Sequence, residues 1–311
     1  MGYIKKIIFP LILIFAVFIF GCSNTAGQKS KEVDVNVGIE GLTAEFAKSA
    51  PPQRVFEESS FPILLRIRNK GAYSITDAEQ SIYDSQGLIS IAVENDYVTS
   101  LTLEKESRII KGKSDNEVLF YVDGKTKINP KGDEILVALN AKTGKLDPNS
   151  EARTSMITAN LCYPYKTVLS ATVCIDPDVA GIRPGKKVCA VKDLTFANGQ
   201  GAPIAITKIE SQMIPETDSN TVRPQFLIFI ENRGQGTPVN IAHFQNVCRN
   251  TNPSEEEVKN TWNVAFLTAF TSGRDGENQL LCSPNIEDGE EGTALIRFND
   301  KKDFVRCTFQ E

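Results

Sequence analysis

The sequence predicts an all-β protein, tandem β-sandwich modules carried behind an N-terminal hydrophobic segment. Three observations predict it. After Gly41 the chain breaks into short apolar runs with a period of two, parted by turn residues about every 8 to 15 positions. Helix signals are scarce, the best being Ser254-Glu255-Glu256-Glu257, a capping box with an acidic first turn that would lead into Trp262. One strand-and-turn pattern also occurs twice, at Ile63 to Gly71 and at Phe226 to Gly234.

The N-terminal element comes first. Lys5-Lys6 and an apolar run from Ile7 to Phe20 end in Gly21-Cys22, and the polar Ser23-Asn24-Thr25 come next. A short basic region, a brief apolar stretch and a small residue before the break mark an export signal, so residues 1–22 read as a signal or anchor segment. The expected location is the extracytoplasmic face of a cell membrane. A cysteine directly after Gly21 resembles the lipobox of prokaryotic lipoproteins, which implies lipid attachment at Cys22. An uncleaved membrane helix is the alternative anchor, although spanning takes roughly 20 apolar residues and this run is shorter. Residues 23–38 are small and polar and read as a tether.

Composition narrows the class of protein. At 311 residues, 41% hydrophobic and 23% charged, the chain has the make-up of a folded protein with room for two or three domains. A net charge of −5 offers no cluster of Lys and Arg for phosphates, which excludes nucleic acid as a partner. Apart from Cys22, the cysteines are Cys162, Cys174, Cys189, Cys248, Cys282 and Cys307, all in the C-terminal half and none in a C-x-x-C pair. Metal sites usually need such a pair, so disulfides in an oxidising compartment are the reading, with no metal site assigned. Cys174 with Cys189 is favoured, because Asp176-Pro177-Asp178 and Arg183-Pro184-Gly185 build a turn-rich loop between them. Closing about 15 residues contributes roughly 3 kcal/mol in the chain-entropy model. Cys282 with Cys307 would close the last hairpin region and leave Cys162 for Cys248.

Two modules are expected, at 39–160 and 161–311. In the first, the strands are Leu42–Phe46, Phe61–Arg68, Glu79–Tyr83, Leu101–Glu104, Glu117–Val122, Glu134–Leu139 and Thr154–Cys162. Ile63, Leu65 and Ile67 share one face of the second of these, so that face is buried. In the second module the strands are Thr167–Cys174, Val188–Ala197, Ala205–Met213, Phe226–Asn232, Val264–Phe270, Gly292–Phe298 and Phe304–Phe309. The repeat sets Asn69-Lys70-Gly71 over Asn232-Arg233-Gly234, each ending an apolar strand, and Asn and Gly suit a tight turn there.

An apolar strand followed by Asn-x-Gly, at Leu65 to Gly71 and again at Ile228 to Gly234, resembles the CARDB-type immunoglobulin-like domains of bacterial and archaeal surface proteins. Val173-Cys174-Ile175-Asp176-Pro177, Val188 to Asp193 and Gly199-Gln200-Gly201-Ala202-Pro203 are further similar to uncharacterised surface lipoproteins of small-genome archaea. The resemblance implies tandem immunoglobulin-like sandwiches used as spacers and adhesive modules, with no catalytic residues.

The residues themselves assemble no reaction either. The one histidine, His243, has no nucleophile-and-base setting, and no G-x-S-x-G elbow is present. Lys111-Gly112-Lys113-Ser114 ends like a phosphate loop but lacks its first glycine. Asp176 with Asp178, and Glu287 to Glu291, supply the carboxylates that a calcium site or a glycosidase would use, without further ligands in sequence. Tyr163-Pro164-Tyr165 could stack a sugar or a proline-rich peptide, and is better placed covering the junction of the two modules. Trp262 is expected to plug the second core. The expected function is thus a non-enzymatic binding, adhesion or spacer module without a cofactor, with the membrane as its anchor and an envelope protein or a glycan as ligand class. An anchored carbohydrate-active or calcium-dependent protein is the alternative.

Overall fold

A computed structural model describes residues 34–76, 86–104, 106–182, 185–216, 221–249, 260–273, 276–286 and 292–309. Every strand lies in one compact unit, Val35–Glu311. The signal segment, Cys22 and residues 23–33 of the tether fall outside the described residues, as do Glu79–Tyr83, Ser254–Glu257 and Glu287–Glu291. No helix among the described residues is long and apolar enough to cross a membrane.

The protein is nearly all β. In the first half the strands are β1 (Leu42–Phe46), β2 (Ser60–Asn69), β3 (Gly87–Ala92), β4 (Val98–Leu103), β5 (Ile109–Lys111), β6 (Glu117–Phe120), β7 (Glu134–Thr143) and β8 (Thr158–Cys162). They make two antiparallel four-stranded sheets, ordered β1-β2-β7-β4 and β5-β6-β3-β8. Alternation dictates the packing. Ile63, Leu65 and Ile67 of β2 and Ile135, Val137 and Leu139 of β7 point inward, against Ile89 and Ile91 of β3 and Val118 and Phe120 of β6.

The second half holds β9 (Leu194–Thr195), β10 (Ile204–Pro215), β11 (Val222–Asn232), a short helix α1 (Phe244–Cys248), β12 (Val264–Leu267), β13 (Phe270–Gly273), β14 (Gly276–Gln279), β15 (Leu281–Ser283), β16 (Ala294–Arg297) and β17 (Lys302–Thr308). One five-stranded sheet runs β15-β17-β11-β10-β9, accompanied by the pairs β12-β16 and β13-β14. Phe226, Ile228, Ile230, Val305 and Cys307 from the large sheet bury themselves with Ala294, Ile296, Leu280 and Cys282.

Several expectations shift. Strand β3 is absent from the sequence expectation, because Gly87, Leu88, Ile89 and Ile91 are all buried, both of its faces being covered, and a strand covered on both sides shows no alternation. Thr167–Cys174 is not a strand, and of Val188–Ala197 only Leu194–Thr195 pairs, since Val168 and Val188 stand largely or fully exposed with no neighbouring strand to lie against. Trp262 is only half-buried and bridges Val239 instead of plugging the second core. Gly38, assigned to the tether, is held at both ends: its N–H donates to the Asn198 carbonyl (2.8 Å) and its own carbonyl accepts from Gly201 N–H (2.8 Å).

Candidate functional site: the junction of the two cores

The repeated Asn-basic-Gly triplet forms the same object twice. Asn69 ends β2 and is fully buried; its Oδ1 accepts from Gly71 N–H (3.1 Å), and its Nδ2 donates to the Tyr73 carbonyl (2.7 Å) and the Val122 carbonyl (3.4 Å). Asn232 ends β11 and is 5% exposed; its Oδ1 accepts from Gly234 N–H (3.0 Å) and its Nδ2 donates to the Gly236 carbonyl (2.9 Å). Around each, the backbone is equivalent too. Lys70 N–H donates to Gly41 ahead of β1, and Arg233 N–H donates to Pro203 ahead of β10. Asn69 N–H reaches Asp133 ahead of β7, and Asn232 N–H reaches Lys301 ahead of β17. The side chain replaces ladder partners that the backbone loses where the strand ends.

These turns meet the tyrosines. Tyr163 lies just past β8 and packs against the first core, while its hydroxyl accepts from Leu42 N–H (3.3 Å). Tyr165 lies edge-on to both Tyr163 and Tyr73, with centroids 5.6 and 5.7 Å away, and its hydroxyl donates to the Gly201 carbonyl (3.2 Å). Burial pushes both tyrosine hydroxyls up in pKa, against the lowering effect of the backbone beside them, so both stay protonated donors or acceptors. Tyr163 and Tyr165 therefore cover the junction, as their clustering suggests. Space is tight: a Cβ on Gly71 would overlap the Tyr165 hydroxyl and come within 2.6 Å of the Gly201 carbonyl. Ala72 N–H donates to that same carbonyl (2.7 Å).

A second contact lies on the outer face of the sheet β5-β6-β3-β8. There Leu119, Leu88 and Cys162 stand side by side in register, and Phe244 and Cys248 of α1 pack on them. Cys162 and Cys248 are joined, with Cα atoms 5.7 Å apart. One residue past Cys248, Arg249 Nε donates to Glu117 Oε1 (3.0 Å), with side chains 16% and 8% exposed. The other carboxylate oxygen accepts from Lys113 N–H (3.1 Å). Burial alone would raise the Glu117 pKa; the hydrogen bond from Arg249, the Lys113 N–H and the guanidinium charge outweigh it and hold the carboxyl below its usual value. Sequence reasoning missed this pair, since 132 residues separate its members and nothing local marks either. The stretch Lys111 to Ser114, with its phosphate-loop ending, is simply the β5–β6 turn, where Gly112 N–H meets the Glu117 carbonyl.

Cys174 and Cys189, the pair that the turn residues favour, are joined 15 positions apart, Cys282 faces Cys307 across β15 and β17 in a third bond, and Cys162–Cys248 is the pair left over. Inside the Cys174–Cys189 loop, Lys187 Nζ donates to Asp176 Oδ2 (2.6 Å) and to the Asp178 carbonyl (2.8 Å), and sits 3.8 Å from Asp178 Oδ2. The hydrogen bond to Asp176 raises the Lys187 pKa above its ordinary value. Asp178 N–H caps Asp176 Oδ1 (2.9 Å) and Ile182 N–H caps Asp178 Oδ1 (2.8 Å). An ammonium thus lies between the two carboxylates. Among the described residues no three of His, Cys, Asp and Glu are gathered to hold a metal. His243 is the half-buried residue preceding α1 and makes no side-chain cap to it.

No family model matches the chain, and neither a curated protein nor a solved structure does.

Proposed function

We propose that this chain is an anchored extracytoplasmic surface protein whose two immunoglobulin-like sandwiches, resembling CARDB-type domains, serve as a non-catalytic binding, adhesion or spacer unit. The observation that carries the reading is how the chemically capable side chains are engaged. Asp176 and Asp178 hold Lys187, Asn69 and Asn232 close turns, Tyr165 bonds Gly201, and the six cysteines beyond Cys22 pair as three disulfides. Disulfides of this kind persist where thiols are not kept reduced, which favours an exported setting. The basic, apolar and Gly-Cys sequence of residues 1–22 supports anchoring through Cys22 or an uncleaved helix.

Unreduced intact-mass and peptide mass spectrometry on the protein taken from its native membrane tests both halves of the proposal. A lipid-modified N-terminus at Cys22 with three disulfides is the expected result. Unprocessed Met1 together with free thiols would overturn the surface reading, and a saturable hydrolytic activity that survives repurification would overturn the non-catalytic one.

A further inference from the structure

Among the described residues, the second half of the chain meets the first at two separate places. One is the seam of Gly38, Gly71, Tyr165 and Gly201, which lies beside the connecting chain and is made largely of backbone hydrogen bonds. The other is α1 on the outer face of β3, β6 and β8. We propose that the seam is a hinge and the helix a latch: the Cys162–Cys248 bond, aided by Glu117–Arg249, fastens the second half of the chain, through α1, to the first sheet, and a dithiol reductant releases it while both cores stay folded.

Connectivity makes this bond different from the other two. Cys282–Cys307 lies within one sheet, between β15 and β17, and both of its residues are buried in the second core. Cys174–Cys189 closes a loop whose Ile182 and Val188 are exposed. Of the three, Cys162–Cys248 alone ties the first half of the chain to the second, joining β8 to α1. The latch also stands on residues that neither core needs. Leu88 and Leu119 face away from the interior that Ile89, Val118 and Phe120 fill, and α1 is five residues long, too short to hold helical form without what it packs on. In the opening step the dithiol supplies two electrons and two protons. The Cys162–Cys248 sulfur–sulfur bond breaks, each cysteine ends as a thiol, and the reductant ends as a cyclic disulfide. Cys162 is partly exposed and Cys248 is 1% exposed, so attack comes at the Cys162 sulfur.

Hydrogen exchange read by mass spectrometry on the full chain tests it. Cys162→Ser with Cys248→Ser is expected to speed exchange roughly tenfold in residues 244–248 and across the seam at 198–203, with Ile63–Ile67 and Phe226–Ile230 as protected as before. Cys174→Ser with Cys189→Ser should change exchange only between residues 174 and 189. Unchanged protection at 244–248 in the first variant overturns the latch, and exchange rising in β2 and β11 alongside α1 overturns it too, because the bond would then be supporting a core. If the serine pair does not fold, the wild-type chain treated with dithiothreitol under native conditions gives the decision: faster exchange in 244–248 as the Cys162–Cys248 bond is reduced supports the latch, and no change on its reduction refutes it.

Discussion

Asn69 and Asn232 occupy the same position in two different sheets. Each is the buried last residue of a long central strand, each accepts from the glycine two residues on, and each donates to the carbonyl four residues on. Substituting Asn69 by Ala leaves the buried Gly71 N–H without its partner, at a cost of about 2 kcal/mol, and at Asn232, whose bonds are only partly buried, the cost is about 1 kcal/mol. Urea denaturation of the two single variants and the double variant checks this. The two costs should add to within about 0.5 kcal/mol, because the residues share no partner.

Glu117 is the group through which acidity reaches the junction. Its folded pKa lies below the unfolded value, so its contribution is complete above the ordinary pKa near 4.5 and is lost as pH falls through the depressed one. Glu117→Gln removes the charge that faces Arg249 and leaves a neutral acceptor and the Gln245 side-chain carbonyl to it, and is expected to cost about 1.5 kcal/mol at neutral pH. The difference in stability between wild type and variant should shrink on acidification, as read by melts from pH 7 downward. A difference that stays constant with pH would show that the loss is one of packing.

Lys187 bridges Asp176 and Asp178 and offsets their charge. Millimolar calcium is therefore expected to leave the melting temperature of the wild-type protein unchanged. A calcium-induced rise that vanishes in Asp176→Ala would restore the calcium-dependent reading of the loop.

Gly71 has no room for a side chain. Gly71→Ala drives a methyl into the Tyr165 hydroxyl and two backbone carbonyls, of Gly201 and Glu40, and is expected to cost about 2 kcal/mol or more. Tyr165→Phe in the Gly71→Ala background should recover only part of the loss, since both carbonyls remain. Full recovery would mean that the hydroxyl alone sets the clearance.

Much of this fold is legible in residue patterns. Strands β2, β7 and β11 are signalled by alternation because one face of each meets a core and the other does not. The Asn-basic-Gly repeat is visible because its chemistry is local, its side-chain bonds to glycine N–H falling two residues away. Cys174–Cys189 is legible for a related reason, since its loop length and turn residues let the ends meet, whereas Cys162–Cys248, 86 residues apart, follows only as the remainder. The hidden parts depend on tertiary partners. Leu88 lies under α1 from the far half of the chain, so β3 looks like an unpatterned apolar run. Glu117 and Arg249 look like ordinary surface charges until the same helix closes over them. Size alone assigns Trp262 to the core, and size does not say which neighbours are present.

The placement of α1 bears on ancestry. If the two Asn turns descend from one duplicated unit, the copies have since ceased to be interchangeable. The later copy contributes a helix that the earlier one cannot return, and Leu88, Leu119 and Cys162 are the surface left bare whenever the halves part. Shuffling the first half alone into another protein would expose that stripe, so the first half travels safely only with its helix.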